Sequence, residues 1–181
     1  TVQAKFDENV LDATNAWSRH VADEAELAGL PANTVQRSRQ TAEAAGQSGW
    51  LLSLDAPNYQ AVMTHAESER LRREFYEAWV TRASDQGPHA GQWDNSPLMA
   101  EILALRSEAA NLVGFANFAE YSIATKMAHR TDEVLDFLRE LARVSRPAAA
   151  REFAELEQFA GRSLEAWDVA FYAERLKRAQ L

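Results

Sequence analysis

An apolar stripe that ends in a glycine constrains the fold of this chain more than any other feature of its sequence. Leucine, isoleucine and alanine recur at steps of four, three, four and three residues from Leu98 to Leu112, which is the spacing of one helix face. Ser96 is suited to cap this helix, and the proline after it fits the first helical position. Gly114 can end the helix in the left-handed conformation. The pattern predicts two helices joined by a glycine turn over residues 94–128, with the stripe facing a core.

The composition of the rest of the chain favours helix and excludes several classes of protein. Glycine (7) and proline (5) are scarce among the 181 residues, and 46% of the residues are hydrophobic, enough to build a core. The net charge of −8 argues against a nucleic-acid partner. The densest basic group, Arg70, Arg72 and Arg73, is predicted to lie on a solvated helix face. The absence of cysteine excludes disulfides and thiolate metal sites. The apolar runs are too short to span a membrane, so we expect a cytoplasmic protein with no membrane partner.

The sequence predicts a mainly α fold with one small antiparallel β ribbon. Two runs rich in β-compatible residues, 14–21 and 49–54, are the predicted strands. Two strands alone are marginal in water, so the ribbon must pack on helices. The sub-lobes expected from this division are 1–66, with the ribbon, and 67–181, all helical. The remaining predicted helices cover residues 3–12, 31–45, 68–82, 131–160 (kinked at Pro147) and 169–180, the last capped by Asp168.

No histidine has the neighbours that a zinc peptidase site needs. The HExxH signature places a glutamate beside the first of two histidines one helical turn apart. His20, His65, His89 and His129 are followed by valine, alanine, alanine and arginine. None has a glutamate three positions earlier, which also excludes the di-iron bundle pattern. We therefore predict no catalytic, cofactor-binding or metal-binding residue in this chain. His65 and Glu69, four residues apart, are predicted to form a surface ion pair, with a weak metal contact as the alternative.

Other candidate sites have ordinary structural interpretations. No serine sits in a Gly-x-Ser-x-Gly elbow, and the glycines at 87 and 91 lack the lysine of a phosphate-binding loop. The acidic residues near position 132 fit a helix N-terminus, which attracts negative charge. The tryptophans are expected to pack in the core, and the alternative is a peptide-binding groove lined by some of them. The five tryptophans are Trp17, Trp50, Trp79, Trp93 and Trp167. The acidic residues at the helix start are Asp132, Glu133 and Asp136.

Several segments, in order along nearly the whole chain, resemble the thimet oligopeptidase and oligopeptidase A family of zinc metallopeptidases, and most closely its bacterial oligopeptidase A branch. The most specific is ILALRSEAANLVGFANFAEYSIATKMA at 102–128. AWDVAFYAERLK at 166–177 is similar to the Trp-Asp-x-x-Tyr-Tyr segment of the family, with Phe171 replacing the first tyrosine. The others are FDENVLDATNAW at 6–17, ELAGLP at 26–31, GWLLSLDAPNYQAVM at 49–63 and RLRREFYEAWVTRASDQG at 70–87.

The resemblance implies a two-lobed, mostly helical peptidase that cleaves short peptides with a zinc ion bound at an HExxH motif. In the family's order that motif lies beyond Leu181, so no catalytic or zinc-binding residue is carried over to this chain. We expect a fragment that supplies scaffold and channel wall, binds no zinc itself and is inactive alone. The alternative is a non-enzymatic helical interaction module derived from the peptidase. Surface left uncovered by truncation is expected to promote self-association, with Trp167, Phe171 and Leu176 as candidates.

Overall fold

The computed structural model describes residues Thr1–Leu181 and is mainly α-helical, as the sequence predicts. Eight α-helices accompany one two-stranded antiparallel sheet and a 3-10 turn at Glu24–Leu27. No helix is both long enough and apolar enough to cross a membrane. The elements, in chain order, are α1 Val2–Ala16, β1 Ser18–Val21, α2 Ala32–Ala44, β2 Trp50–Ser53, α3 Ala56–His65, α4 Glu69–Val80, α5 Ser96–Leu112, α6 Phe118–Ile123, α7 Thr131–Ala160 and α8 Val169–Ala179.

The predicted β ribbon is present, but its first strand is shorter than expected. β1 pairs with β2 in antiparallel register, with Ser18 opposite Ser53 and Val21 opposite Trp50. The predicted strand 14–21 was wrong at its start, because α1 continues to Ala16. The hydroxyl of Thr14 donates a hydrogen bond to the carbonyl of Val10 at 2.7 Å, a bond within the helix that β-propensity does not reveal.

The segment after β2 is a helix that the sequence analysis did not predict. Asp55 takes the N-cap position of α3, and its carboxylate accepts a hydrogen bond from the backbone N–H of Asn58 at 3.0 Å. Pro57 lies in the first turn, where a proline needs no N–H partner. Asp55 and Pro57, residue types that are also common in turns, thus start a ten-residue helix.

Residues 4–95 and 156–181 form one compact unit, here called the ribbon unit. Its core combines residues from β1, β2, α3 and α4, including Val21, Leu52 and Phe75, none of which is exposed to solvent. α8 packs against α3, and α2 packs against β2. The helices therefore cover the ribbon, as a two-stranded sheet requires.

Residues 1–3 and 96–155 form a second compact unit, here called the α5–α7 unit, which buries very little. Ala110 is the only buried residue between 96 and 155. The prediction that the apolar stripe of α5 faces a core was wrong at its C-terminal end, because Leu105 is 48% exposed and Leu112 is 80% exposed. The sub-lobes predicted at 1–66 and 67–181 have other bounds than these units and stay a prediction.

The glycine turn after α5 and the long helix α7 agree with the predictions from the sequence. Gly114 has a φ of 87°, the left-handed conformation expected after α5. α7 begins at Thr131 and continues through Pro147 to Ala160 without a break. The proline therefore costs one backbone hydrogen bond but does not divide the helix.

Candidate functional site

The four histidines lie in four separate local environments. His20 is in β1, and its Nε2 atom is 2.6 Å from the carbonyl oxygen of Ser48. His65 ends α3 and lines an open groove of about 500 Å³ that also contains Arg37 and Glu174. The remaining two, His89 and His129, lie in the loops before α5 and before α7. The fold does not bring the histidines to a common site.

The ion pair predicted between His65 and Glu69 was wrong. α3 ends at His65 and α4 begins at Glu69, so the two residues do not share a helix. The Glu69 carboxylate instead accepts a hydrogen bond from Arg162 at 3.0 Å. The spacing of four residues has its usual meaning only within one continuous helix.

The histidine and carboxylate side chains of this chain do not fit the zinc site that the family resemblance implies. Zinc in a peptidase takes several histidine and carboxylate ligands that converge on one point. The structure contains no group of three or more His, Cys, Asp or Glu side chains that could hold a metal ion. The groove at His65 offers one imidazole and one carboxylate, and Arg178 already pairs with that carboxylate at 2.7 Å. That the chain lacks catalytic residues stays a prediction.

The strongest electrostatic feature is a buried ion pair between Arg72 and Asp168. Arg72 Nη2 donates to Asp168 Oδ1 at 2.6 Å, and the two side chains are 2% and 0% exposed. Arg72 Nη1 also donates to the backbone carbonyl of Ala66 at 2.7 Å. The guanidinium lies 4.1 Å from the ring centroid of Phe171. The prediction of a solvated face for this arginine was therefore wrong, because α4 turns it toward α8.

Asp168 accepts further hydrogen bonds at the start of α8. Its Oδ2 atom accepts a hydrogen bond from Arg162 at 2.8 Å and one from the backbone N–H of Glu165 at 3.3 Å. The residue occupies the N-cap position of α8 as predicted, but its side chain makes no cap hydrogen bond. The carboxylate is used to join α8 to α4. We call Arg72, Asp168 and Arg162 the α4–α8 clamp.

A second, more exposed network joins β1 to α4. Glu74 accepts hydrogen bonds from Arg19 at 2.6 Å and from Arg70 at 2.8 Å. Partial burial raises the pKa of Glu74, but the hydrogen bonds and charges of Arg19 and Arg70 outweigh this effect and hold the pKa below its ordinary value. Arg19 also contacts Glu26 at 2.9 Å. The network ties β1 to α4 within the ribbon unit.

Most of the tryptophan side chains pack against the core, as predicted. Trp17 meets Phe75 edge to face at 4.8 Å, and Trp79 stacks on Tyr59 at 4.4 Å. Trp50 and Trp167 are also partly buried against the core. Trp93 differs from these four, since it lies in the loop before α5 and contacts His89 at 5.5 Å. A peptide groove lined by these rings finds no support in this arrangement.

The acidic residues at the start of α7 are engaged locally. The hydrogen bond from Arg130 lowers the pKa of Asp132. Glu133 accepts a hydrogen bond from the backbone N–H of His129 at 3.1 Å. They act as first-turn charges of a helix, which is the interpretation that the sequence favoured.

The sequence model of peptidase family M3 matches residues 62–181. The chain therefore belongs to peptidase family M3, in agreement with the resemblance seen in its sequence.

The similarity extends to oligopeptidase A over almost the whole chain. The chain is 50% identical to oligopeptidase A of Salmonella typhimurium over 179 residues, which cover 96% of the chain and 26% of the relative. It is also 50% identical to oligopeptidase A of Escherichia coli, with the same coverage. The probable cytosolic oligopeptidase A of Arabidopsis thaliana is 38% identical over 97% of the chain and 26% of the relative. The chain thus spans about a quarter of the length of these curated relatives.

Proposed function

We propose that this chain forms part of the body of a zinc-dependent oligopeptidase, a metalloendopeptidase that hydrolyses short peptides. The observation that carries the proposal is the 50% identity to oligopeptidase A across 96% of the chain. In this proposal the chain supplies scaffold and part of the channel wall. The zinc ligands and the catalytic groups belong to the part of the peptidase outside the matched 179 residues.

The chain is therefore proposed to be inactive alone. The dispersal of its four histidines supports this, because a peptidase zinc site needs converging ligands. The test is hydrolysis of a fluorogenic peptide by the purified chain with added zinc, beside E. coli oligopeptidase A at equal concentration. We expect turnover at the level of the blank. Turnover by the chain that a chelator abolishes would contradict the proposal.

A second candidate function is a helical interaction module without enzymatic activity. The observation that favours it is the large number of exposed apolar side chains on α5 and α7, such as Leu103 and Phe137. The reading frame beyond Leu181 separates the two candidates. An in-frame HExxH motif supports the peptidase body, and a nearby stop codon supports the module.

We also propose a cytoplasmic location, which the name of the Arabidopsis cytosolic relative supports. Cell fractionation with an antibody against the ribbon unit tests this. Recovery in the membrane or secreted fraction would overturn it.

A further inference from the structure

The first half of α7 carries an apolar stripe that the α5–α7 unit leaves uncovered. Its members follow one another at steps of three, four, three and four residues. Three of them are more than half exposed: Phe137 at 66%, Leu141 at 54% and Val144 at 60%. We call these five residues the α7 stripe: Val134, Phe137, Leu141, Val144 and Ala148.

Much of the remaining surface of the same helix is charged, which sets the stripe apart, although Leu135 is a 49% exposed apolar residue off the stripe. Arg139 pairs with Asp136 at 3.1 Å, and Arg143 pairs with Glu140 at 2.6 Å. The stripe ends at Ala148, because Arg151 and the glutamate after it occupy the next turn. A helix with one apolar and one charged face buries its apolar face against another element.

The spacing of the stripe specifies what kind of element covers it. Alternating steps of three and four residues are the a and d positions of a heptad, which pack as knobs into the holes of a neighbouring helix. Fifteen residues from Val134 to Ala148 span about 21 Å at the α-helical rise. The matching partner is therefore a helix of about four turns that lies nearly along the α7 axis.

The charges beside the stripe disfavour a second copy of this chain as that partner. Glu133 and Glu140 flank one side of the seam. An antiparallel pair of α7 helices would bring the glutamates of both copies to the same side, where they repel. A parallel pair would place them beside Leu138 and Ser145, which carry no positive charge. A second copy therefore offers these glutamates no ion pair beyond the one that Glu140 already makes with Arg143 of its own helix.

We infer that the α7 stripe packs lengthwise against a helix from the part of the M3 peptidase outside the matched 179 residues. The inference rests on the proposed function. Its support is the uncovered heptad stripe together with the relatives' length, of which this chain spans 26%. The partner is thus identified as an amphipathic helix of the same enzyme.

The test compares the chain alone with a chimera in which it replaces the matched 179 residues of E. coli oligopeptidase A. Hydrogen exchange of residues 134–148 is measured in both proteins. We expect exchange at least about tenfold slower in the chimera, because a covered helix opens less often. Leu141→Glu in the chimera should restore fast exchange. Leu135→Glu is the matched control, since Leu135 is 49% exposed and lies off the stripe. Equal exchange in the two proteins would overturn the inference.

Peptide hydrolysis by the chimera separates this inference from the proposed function. If the chimera hydrolyses the peptide but its α7 stripe exchanges as fast as in the isolated chain, the inference is wrong and the proposed function is supported. If the stripe is protected but the chimera does not hydrolyse the peptide, the inference is supported and the proposed function is contradicted. A dimer of the isolated chain that Leu141→Glu dissociates and Leu135→Glu does not would identify a second copy as the partner, against the inference.

A separate-chain format covers the case in which the chimera does not fold. The 181-residue chain is co-expressed with E. coli oligopeptidase A that lacks the 179 matched residues. Co-purification that Leu141→Glu reduces at least about tenfold, and Leu135→Glu leaves unchanged, supports the inference. Equal co-purification of the two variants refutes the inference. The absence of both exchange protection in the chimera and co-purification of the separate chains refutes it as well.

Discussion

At the residue scale, the α4–α8 clamp is the feature on which the ribbon unit depends most. Asp168 is fully buried and accepts hydrogen bonds from Arg72 and Arg162. Replacing Asp168 with asparagine leaves the buried Arg72 charge without its counter-ion, which typically costs about 3–5 kcal/mol. We expect the urea midpoint, followed by tryptophan fluorescence, to fall accordingly.

The control for this variant removes an exposed partner of the same cluster. Glu69→Gln weakens the contact between Glu69 and Arg162, whose side chains are 52% and 36% exposed. Exposed pairs contribute at most about 1 kcal/mol. Equal losses of stability in Asp168→Asn and Glu69→Gln would show that the buried ion pair stabilises the fold no more than the exposed one.

Glu74 links the stability of the ribbon unit to pH. Its pKa is lower in the folded chain than its ordinary value, because the opposing effect of burial is outweighed by Arg19 and Arg70. A lowered folded pKa contributes stability that is present above the unfolded pKa of about 4.3 and is lost as pH falls through the folded pKa. The stability gap between wild type and Glu74→Gln should therefore be largest at neutral pH and shrink below about pH 4.

Arg19→Met is the companion measurement for this pH effect. It removes the shorter of the two hydrogen bonds to Glu74, at 2.6 Å, and should reduce the acid-dependent part of the gap, while Arg70 still holds the carboxylate. Urea midpoints at several pH values measure both variants. An unchanged pH dependence in Arg19→Met would assign the effect to another group.

At the element scale, Gly29 allows the segment before α2 to lie close to the end of α3. Gly29 has a φ of 86°, and a Cβ there would collide with the carbonyl oxygen of His65. The neighbouring Ala28 accepts a hydrogen bond from the N–H of Glu67 at 2.9 Å. Gly29→Ala should therefore destabilise through both backbone strain and collision.

Gly46→Ala provides the matched comparison for Gly29→Ala. Gly46 also has a positive φ, 70°, but a Cβ there would meet nothing within 4 Å. Its cost is expected to be backbone strain alone, about 1–2 kcal/mol. Urea denaturation should give a clearly larger loss for Gly29→Ala. A loss of the same size at both positions would rule out the collision.

The elements that the sequence predicted well are those with long local patterns. α7 was bounded correctly because Thr131, the 3.6-residue period and the resumption of periodicity after Pro147 are all local signals. α3 was missed because Asp55 and Pro57 serve equally in a turn and at a helix start. The direction in which α5 faces could not be predicted, since periodicity locates an apolar face without showing whether anything covers it.

At the scale of the whole molecule, sequence reasoning could suggest the family but not the clamp. Arg72 and Asp168 are 96 residues apart, and each has an ordinary local interpretation, one on a charged helix face and one as a helix cap. Phe171 was predicted to be exposed, but it is 5% exposed because Arg72 and Arg175 lie against its ring. Most of the exposed large apolar residues lie instead on α5 and α7. Contacts between distant segments have no local pattern, so only the structure reveals them.

The two compact units should differ in their resistance to proteolysis, because only the ribbon unit has a buried core. Arg143 in α7 and Arg70 in α4 are closely matched trypsin sites. Both are helical, their side chains are 71% and 72% exposed, and they pair with glutamates at 2.6 Å and 2.8 Å. Cleavage requires local unfolding of the helix, and a helix without a core opens at a lower free-energy cost.

We therefore expect trypsin to cut after Arg143 at least about tenfold faster than after Arg70, a ratio that corresponds to about 1.4 kcal/mol in opening free energy. Mass spectrometry of a limited-digestion time course measures both rates in one sample. Because the two arginines share exposure and ion pairing, the difference isolates the packing of the helix behind them. Equal cleavage rates would mean that α7 is held as firmly as α4 in the isolated chain, with its apolar stripe covered in solution.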